Sequence, residues 1–378
     1  MPEPWLLDLL GGMPTKSGQA IGPETALKCT AVSCAIRAIS EPMGSLPVHI
    51  YRRGQNGARE RDTSHPAHRL LHQQANPWTS AAEFRTQLAV DSLLHGNGYG
   101  FLVRAGGRPR ELVRLDPRSV SARLDDLTGE PVYEQTGRDG GTRVLDRNNV
   151  IHIRPSLSHD GINGLAPIQL AREAIGVALI LESHAAGLFA RGARPGGVLS
   201  TEKSLNESAV NNVRKIIDAQ TSGDNSGRTL ILPDNFKFAQ MALTSSDAQF
   251  LELRRYAVDE IARAFRVPPH LLYEMGRATW GNAEELGSAF VSFTLLFWCE
   301  VFQGQFNRVL FTERERETHF VEYMVDDLLR ADFTTRAEGV SKLVTSEILN
   351  PNEARAIAFN LPPYAGGDQF RNPNTSSS

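Results

Sequence analysis

A helical pattern that starts at Asp247 runs to Phe265 and is then stopped by two consecutive prolines, Pro268 and Pro269, within IARAFRVPPHLLYEMGRATWGNAEE, residues 261–285. Proline lacks a backbone N–H, clashes with the preceding turn and drives the residue before it towards extended backbone. The helix therefore ends at a fixed point. The chain crosses YEMGRATWGN and begins another helix at about Ala283, which apolar spacing carries to about Phe311. Upstream, PIQLAREAIGVALILESHAAGLFARG at 167–192 predicts a helix of about seven turns, with Pro167 at the first helical position. Between the two long helices lies a compact insert. It comprises a helix capped by Ser204 (SLNESAVNNVRKIIDAQ), a Gly-rich turn, and the strands RTLILP and FKFAQM.

The remaining sequence supplies an α+β domain assembled from both ends. Residues 1–24 are rich in Gly, Pro and polar side chains and are expected to lie as a loose arm. From Thr25, apolar residues at Val32, Ile36 and Ile39 have helical spacing, and Pro42 and Gly44 are expected to end that helix. PVHIYRR alternates as a strand. HPAHRLLHQQANPW reads as a short helix closed by an Asn-Pro turn, and SAAEFRTQLAVDSLLHG as a second, opened by a capping box from Ser80 to Glu83. YGFLVR, ELVRLDP, VSARLDD, PVYEQT and NVIHIRP follow as short strands with tight turns. HFVEYMV is a further strand, ADFTTRAEGVSKLVTS and NPNEARAIAFN are helices, and GGDQFRNPNTSSS is expected to be disordered.

Composition narrows the function classes. The 378 residues carry a formal net charge of −3, which makes no case for a basic nucleic-acid-binding domain. Cys29, Cys34 and Cys299 form no disulfide framework or zinc spacing and are expected as free thiols. MPEPWLLDLLGG has acids and Pro where a signal peptide needs basic residues and a long apolar run. LGSAFVSFTLLFWC, at 286–299, falls short of the ~20 residues that span a bilayer and continues into Glu300, so it reads as a buried helix.

Enzyme motifs are absent or incomplete. No GxxxxGK[ST] phosphate loop and no GxSxG elbow occurs. GNGYG at 96–100 follows a helix and precedes a strand, the order of a helix-terminating turn rather than a dinucleotide site. His65, His68 and His72 share a helix face that could hold a metal, but no nearby carboxylate or Cys completes the set, which favours surface or capping histidines. The rival functional reading is a soluble α+β enzyme with an unrecognised His/Asp site around His152, His159 and Asp160. Small residues recur on several faces of 167–190. That pattern suits an interior helix of one domain or a helix packed against copies of itself.

Several blocks, in register, resemble the portal (head–tail connector) proteins of long-tailed bacteriophages and gene transfer agents. They are AVSCAIRAISEPMGSLPVHIY, HPAHRLLHQQANPWTSAAEF with LLHGNGYGFLVR, VIHIRPSLSHDGINGLAPIQLA, IARAFRVPPHLL with WGNAEELGSAFVSFTL, and LLRADFTTRAEGV with LNPNEARAIAFNLPPYAGGD. Three positions depart from the family's habit: Arg266 and Tyr273 stand where Gly is common, and Trp280 where Tyr is usual.

The resemblance implies an α+β portal fold of wing, stem, clip and crown, and a ring of about twelve subunits at one capsid vertex. It divides the chain into an arm (1–24), wing (25–163), first stem helix (164–194), clip (195–245), second stem helix (246–272), channel loop (273–283), wing-crossing helix and strand (284–330), crown (331–365) and tail (366–378). It implies a non-enzymatic conduit without cofactor or metal, through which double-stranded DNA is packaged, retained and ejected. Its implied partners are the major capsid protein, the terminase large subunit and a head–tail adaptor, with no membrane. The place is the virion, with assembly in the host cytoplasm. Tyr273, Arg277, Trp280 and Asn282 would then approach DNA, and Lys203, Lys215 and Arg228 would contact clip partners or DNA.

Overall fold

A computed structural model describes residues 13–54, 59–190, 198–201, 207–208, 210–213, 215, 237–239, 246–274, 286–325, 333–359, 361 and 363–370. The chain divides into two units, residues 1–176 with 258–378, and residues 177–257. In the first, the short pair Met13–Pro14 with Ala20–Ile21 and a one-turn helix, Pro23–Leu27, precede helix α1 (Thr30–Ser45), strands β1 (Val48–Arg53) and β2 (Arg59–Arg61), helix α2 (Pro66–His72) and helix α3 (Ala81–His95). Strands β3 (Gly98–Ala105), β4 (Arg108–Leu115), β5 (Val120–Leu124), β6 (Pro131–Thr136), β7 (Thr142–Leu145) and β8 (Val150–Ile153) follow. They form two antiparallel three-stranded sheets, ordered β8–β3–β4 and β7–β6–β5. Tyr99, Leu115, Val120, Ala122, Tyr133, Leu145, Val150 and Ile162 form one apolar cluster.

Helix α4 (Arg172–Ala190) leads into the second unit, which holds the pair β9 (Val198–Ser200) and β10 (Lys237–Ala239), and most of the length of helix α5 (Ser246–Phe265) falls within it. Within this unit the His184 and Phe250 rings of α4 and α5 lie 5.7 Å apart. RTLILP lies outside the described residues. The expected single helix over 167–192 is broken: Pro167–Leu170 forms a short turn of helix, and Ala171, at φ −91° and ψ 7°, leaves helical geometry before α4 begins.

Back in the first unit come α6 (Leu286–Leu310), α7 (Glu313–Thr318), β11 (His319–Tyr323), α8 (Phe333–Thr345) and α9 (Pro351–Phe359). Strand β11 pairs with β1 in a β11–β1–β2 sheet, so the two ends of the sequence share a ladder from His319–Arg52 to Tyr323–Val48. Helix α6 is long and apolar enough, by length and composition alone, to cross a membrane, and is longer than the apolar run expected from sequence. It packs on β8 and β11, burying Trp298, Cys299, Phe302, Phe306, Val309 and Leu310 as a core helix does. Residues Val291–Leu295 widen to a π turn, and Phe293 there remains 68% exposed.

Four further sequence expectations are corrected. Pro42 lies inside α1, which continues to Ser45 despite the one N–H donor the proline lacks, and the Leu46 N–H closes the helix on Pro42 O. Gly44 serves close approach rather than termination: a Cβ there would sit 2.0 Å from Thr86 Oγ1 of α3. Part of the supposed arm is docked, since Met13–Pro14 pairs with Ala20–Ile21 and Lys16 N–H donates to Glu173. At the other end, residues 364–368 wrap on α9, where Asn352 Nδ2 donates to Tyr364 O and Asp368 Oδ1. The capping box is half formed: Ser80 Oγ accepts the Glu83 N–H, but the Glu83 carboxylate accepts from Gln87.

Arg85 ties these elements together. It is 4% exposed and has no carboxylate partner among the described residues. Its guanidinium donates to Met43, Gly44 and Leu46 carbonyls at the end of α1 and to Leu71 O near the end of α2. Its Cζ also lies 5.9 Å from the Tyr323 ring of β11. Both helices present their negative dipole ends to one cation.

Candidate functional site

The double-proline stretch is built from backbone hydrogen bonds. Helix α5 ends at Phe265, and Arg266 takes left-handed backbone at φ 56°. Val267 N–H donates to Ala262 O at 2.9 Å, the six-to-one bond of a Schellman end. The freed Arg266 carbonyl accepts Thr294 Oγ–H at 2.7 Å, which fastens the helix end to the π turn of α6. Pro269–Leu272 then forms one 3₁₀ turn packed on α1. Tyr273 is again left-handed, at φ 63°, and 84% exposed. Thus both sites where glycine is expected in the family carry the conformation glycine adopts without strain.

Left-handed backbone costs a non-glycine residue about 1–2 kcal/mol. Arg266→Gly is therefore expected to raise unfolding free energy by about 0.5–1 kcal/mol, some of the relief being lost to the freer unfolded chain. Arg266→Val is expected to lower it by about 1 kcal/mol or more. Urea unfolding measures both, and a destabilising glycine variant would contradict the account.

Of the channel-loop candidates, Tyr273 is placed at the exposed end of this stretch, while Arg277, Trp280 and Asn282 lie outside the described residues. Of the clip candidates, Lys215 is exposed on a helix, and Lys203 and Arg228 lie outside the described residues.

The rival site does not assemble an acid–base pair. His152 is buried, with Nε2 2.8 Å from Asn97 Oδ1, Nδ1 3.3 Å from the Tyr133 hydroxyl, and its ring stacked on Tyr99. Burial, then the charges of Arg154 and Arg308, push it down to about 3, so the ring stays neutral. Asp160 is an exposed turn organiser, accepting from Ser158 Oγ, the Ile162 and Asn163 N–H groups and Asn163 Nδ2. Partial burial opposes ionisation there, but the hydrogen bonds led by Asn163 outweigh it and bring the carboxyl to about 2. Asn97 Oδ1 also accepts the Gly164 N–H. Gly96 and Gly164 touch so closely that a Cβ on Gly96 would lie 2.1 Å from Gly164 O. These contacts position the chain before Pro167 rather than building a reaction centre.

On the His65, His68 and His72 face, His68 is buried, His65 half-buried and His72 exposed. His65 caps α2 through Nδ1, accepting the Ala67 N–H. His49 of β1, which sequence spacing could not associate with it, joins the cluster with ring centroids 4.9 Å from His72 and 6.1 Å from His68. Among the described residues no group of three His, Cys, Asp or Glu side chains is arranged to hold a metal ion.

Residues 30–358 match the family described as Phage portal protein. The chain belongs to the phage portal protein family. It is 31% identical over 374 residues to the probable portal protein of Streptomyces phage phiC31, covering 96% of this chain and 81% of that one. It is 30% identical over 354 residues to the portal protein of Enterobacteria phage HK97, covering 92% and 82%. Its fold is similar to a chain from the neck of a native gene transfer agent particle computed with C12 symmetry. That match has a TM-score of 0.64 and 22% identity, and covers 95% of this chain and 99% of that one. The α+β portal fold expected from the sequence blocks is thus the observed one.

Proposed function

We propose that this portal protein forms a ring of about twelve copies at one capsid vertex of a phage or gene transfer agent particle. The ring is a passive channel for double-stranded DNA during packaging, retention and ejection. It docks the terminase large subunit and then a head–tail adaptor, and it contacts the major capsid protein; assembly takes place in the host cytoplasm. The observation that carries this reading is the family match over residues 30–358, joined by likeness to a neck chain arranged with twelvefold symmetry. A net charge of −3 suits a conduit in which duplex DNA slides, because dense basic contacts hold phosphates through counterion release.

In this reading residues 25–163 and 284–330 form the wing, 164–194 and 246–272 the stem, 195–245 the clip and 331–365 the crown. Lys203, Lys215 and Arg228 contact clip partners or DNA. Residues 273–283 approach DNA, with Arg277 as a sliding phosphate contact and Tyr273, Trp280 and Asn282 beside it. The firm stop of α5 and the 84% exposure of Tyr273 support this, because they launch the loop from a fixed point. Trp280→Ala is expected to leave ring assembly intact by native mass spectrometry while lowering the DNA content of particles. Unchanged DNA content and titre would reject the loop's role; a protein that never forms rings would reject the portal reading itself.

A further inference from the structure

A groove of 390 Å³ lies between the β3–β4 hairpin, the turn at 146–149 and the junction of α6 with α7. Arg104, Arg308 and Arg316 line it, together with Asn149, Asp146 and Glu313. Arg104 is held rigidly by Asn149 Oδ1 at 3.0 Å, Gly107 O at 3.0 Å and Val309 O at 2.6 Å. Arg308 donates to Arg147 O, Val150 O and Gln305 Oε1. Arg316 donates through Nε alone, to Phe311 O at 3.4 Å.

A guanidinium carries five N–H donors, so among the described residues Arg316 keeps both terminal NH₂ groups without a protein acceptor. Among the described residues none of the three arginines forms an ion pair. Burial lowers the pKa of Arg308; Tyr133 opposes that shift, and the charge of Arg316 adds a smaller lowering. Asp146 is held away from ion pairing with these arginines by its bonds from Asn148 N–H and Asn149 Nδ2, although its charge, like that of Glu313, remains at the groove.

We propose that this groove is an oxyanion site that takes a single carboxylate or phosphate group against Arg316, with Arg104 and Arg308 as fixed neighbours. Planar guanidinium groups bind such oxygens bidentately, and prior anchoring of two of the three cations lowers the ordering cost of binding. Duplex DNA is the poorer occupant. It carries a charge about every 1.7 Å of its axis, and Asp146 and Glu313 at the groove, followed by Glu315 and Glu317 on α7, repel an extended polyanion. A compact anion can sit between these carboxylates.

The test titrates the full chain with sodium phosphate and with sodium acetate at constant ionic strength set by sodium chloride, read by calorimetry and by NMR of the arginine side chains. Saturable one-site binding is expected, weakened about tenfold (about 1.4 kcal/mol) by Arg316→Gln, and strengthened by Glu313→Gln. Saturation by both anions supports a site open to a protein partner's carboxylate; saturation by phosphate alone supports a phosphate site. No binding beyond matched chloride, equal affinity in Arg316→Gln, or a short DNA duplex competing with phosphate at this groove would each overturn the proposal. Both substitutions are at exposed positions, and their melting curves verify that the fold is retained.

Discussion

Replacing Arg85 with methionine is expected to cost about 4 kcal/mol of folding stability. The substitution keeps much of the side-chain volume and removes the donors. Met43 O retains the Tyr323 hydroxyl at 3.3 Å, but the Leu71, Gly44 and Leu46 carbonyls lose the donor that Arg85 supplies. Each buried carbonyl left without a partner costs about 1–3 kcal/mol. Some of that is recovered by water entry, and some by no longer desolvating a cation, which burial disfavours. Arg85→Lys is expected to fall between, losing about 2 kcal/mol, because an ammonium has three donors and no planar fork to span carbonyls from two helices. Denaturant unfolding of the full chain measures both. A midpoint for Arg85→Met within about 1 kcal/mol of the parent would show that these carbonyls are satisfied without the guanidinium.

The same residue shows where sequence reading stops. The proline stop of α5, the glycine-ended α3 and the alternating strands are written in local chemistry, and they are legible as such. Arg85 is not. Its partners are carbonyls 14 and 39 to 42 residues upstream, and a carbonyl carries no residue identity. Gly44 was misread for a related reason, since its need for space is set by Thr86 on another helix. The break at Ala171 leaves no mark in a run of good helix formers, and the π turn at Val291–Leu295 sits in ordinary apolar sequence. Arg266 and Tyr273 stood out as departures from glycine, but only the dihedrals give the physical reason for that preference. His49 could be joined to His68 and His72 only by the pairing of β1 beside α2.

The buried His49, His68 and His152 should make the protein acid-labile well above the carboxylate range. His49 is lowered to about 4 by burial, with Arg61, His72 and His68 adding repulsion, and His152 is lowered to about 3. His65, His68 and His72 are shifted the same way, burial first in each case; His49 Nδ1 and His68 Nε2 are buried without an acceptor for an added proton. Around them stand Arg61 and Arg85 as cations, and Asp62, Glu315 and His319 as partners of His65 and His68 or of one another. Above the unfolded histidine value of about 6.5, folded and unfolded chains are both neutral at these sites. As pH falls below it the unfolded chain takes up protons that the folded chain refuses, so stability declines until the folded values are reached. Each such histidine contributes up to about 1.4 kcal/mol per pH unit once its unfolded form is charged, so His49 and His152 together remove about 3 kcal/mol between pH 6.5 and 5. Asp62, Asp160 and Glu315, held below their ordinary values, lose their contributions at still lower pH. Unfolding free energies from pH 7.5 to 4.5 should therefore show a slope of at least two protons below pH 6.5, and His49→Gln should remove about one of them. A flat profile between pH 7 and 5 would mean that these imidazoles protonate freely inside the fold.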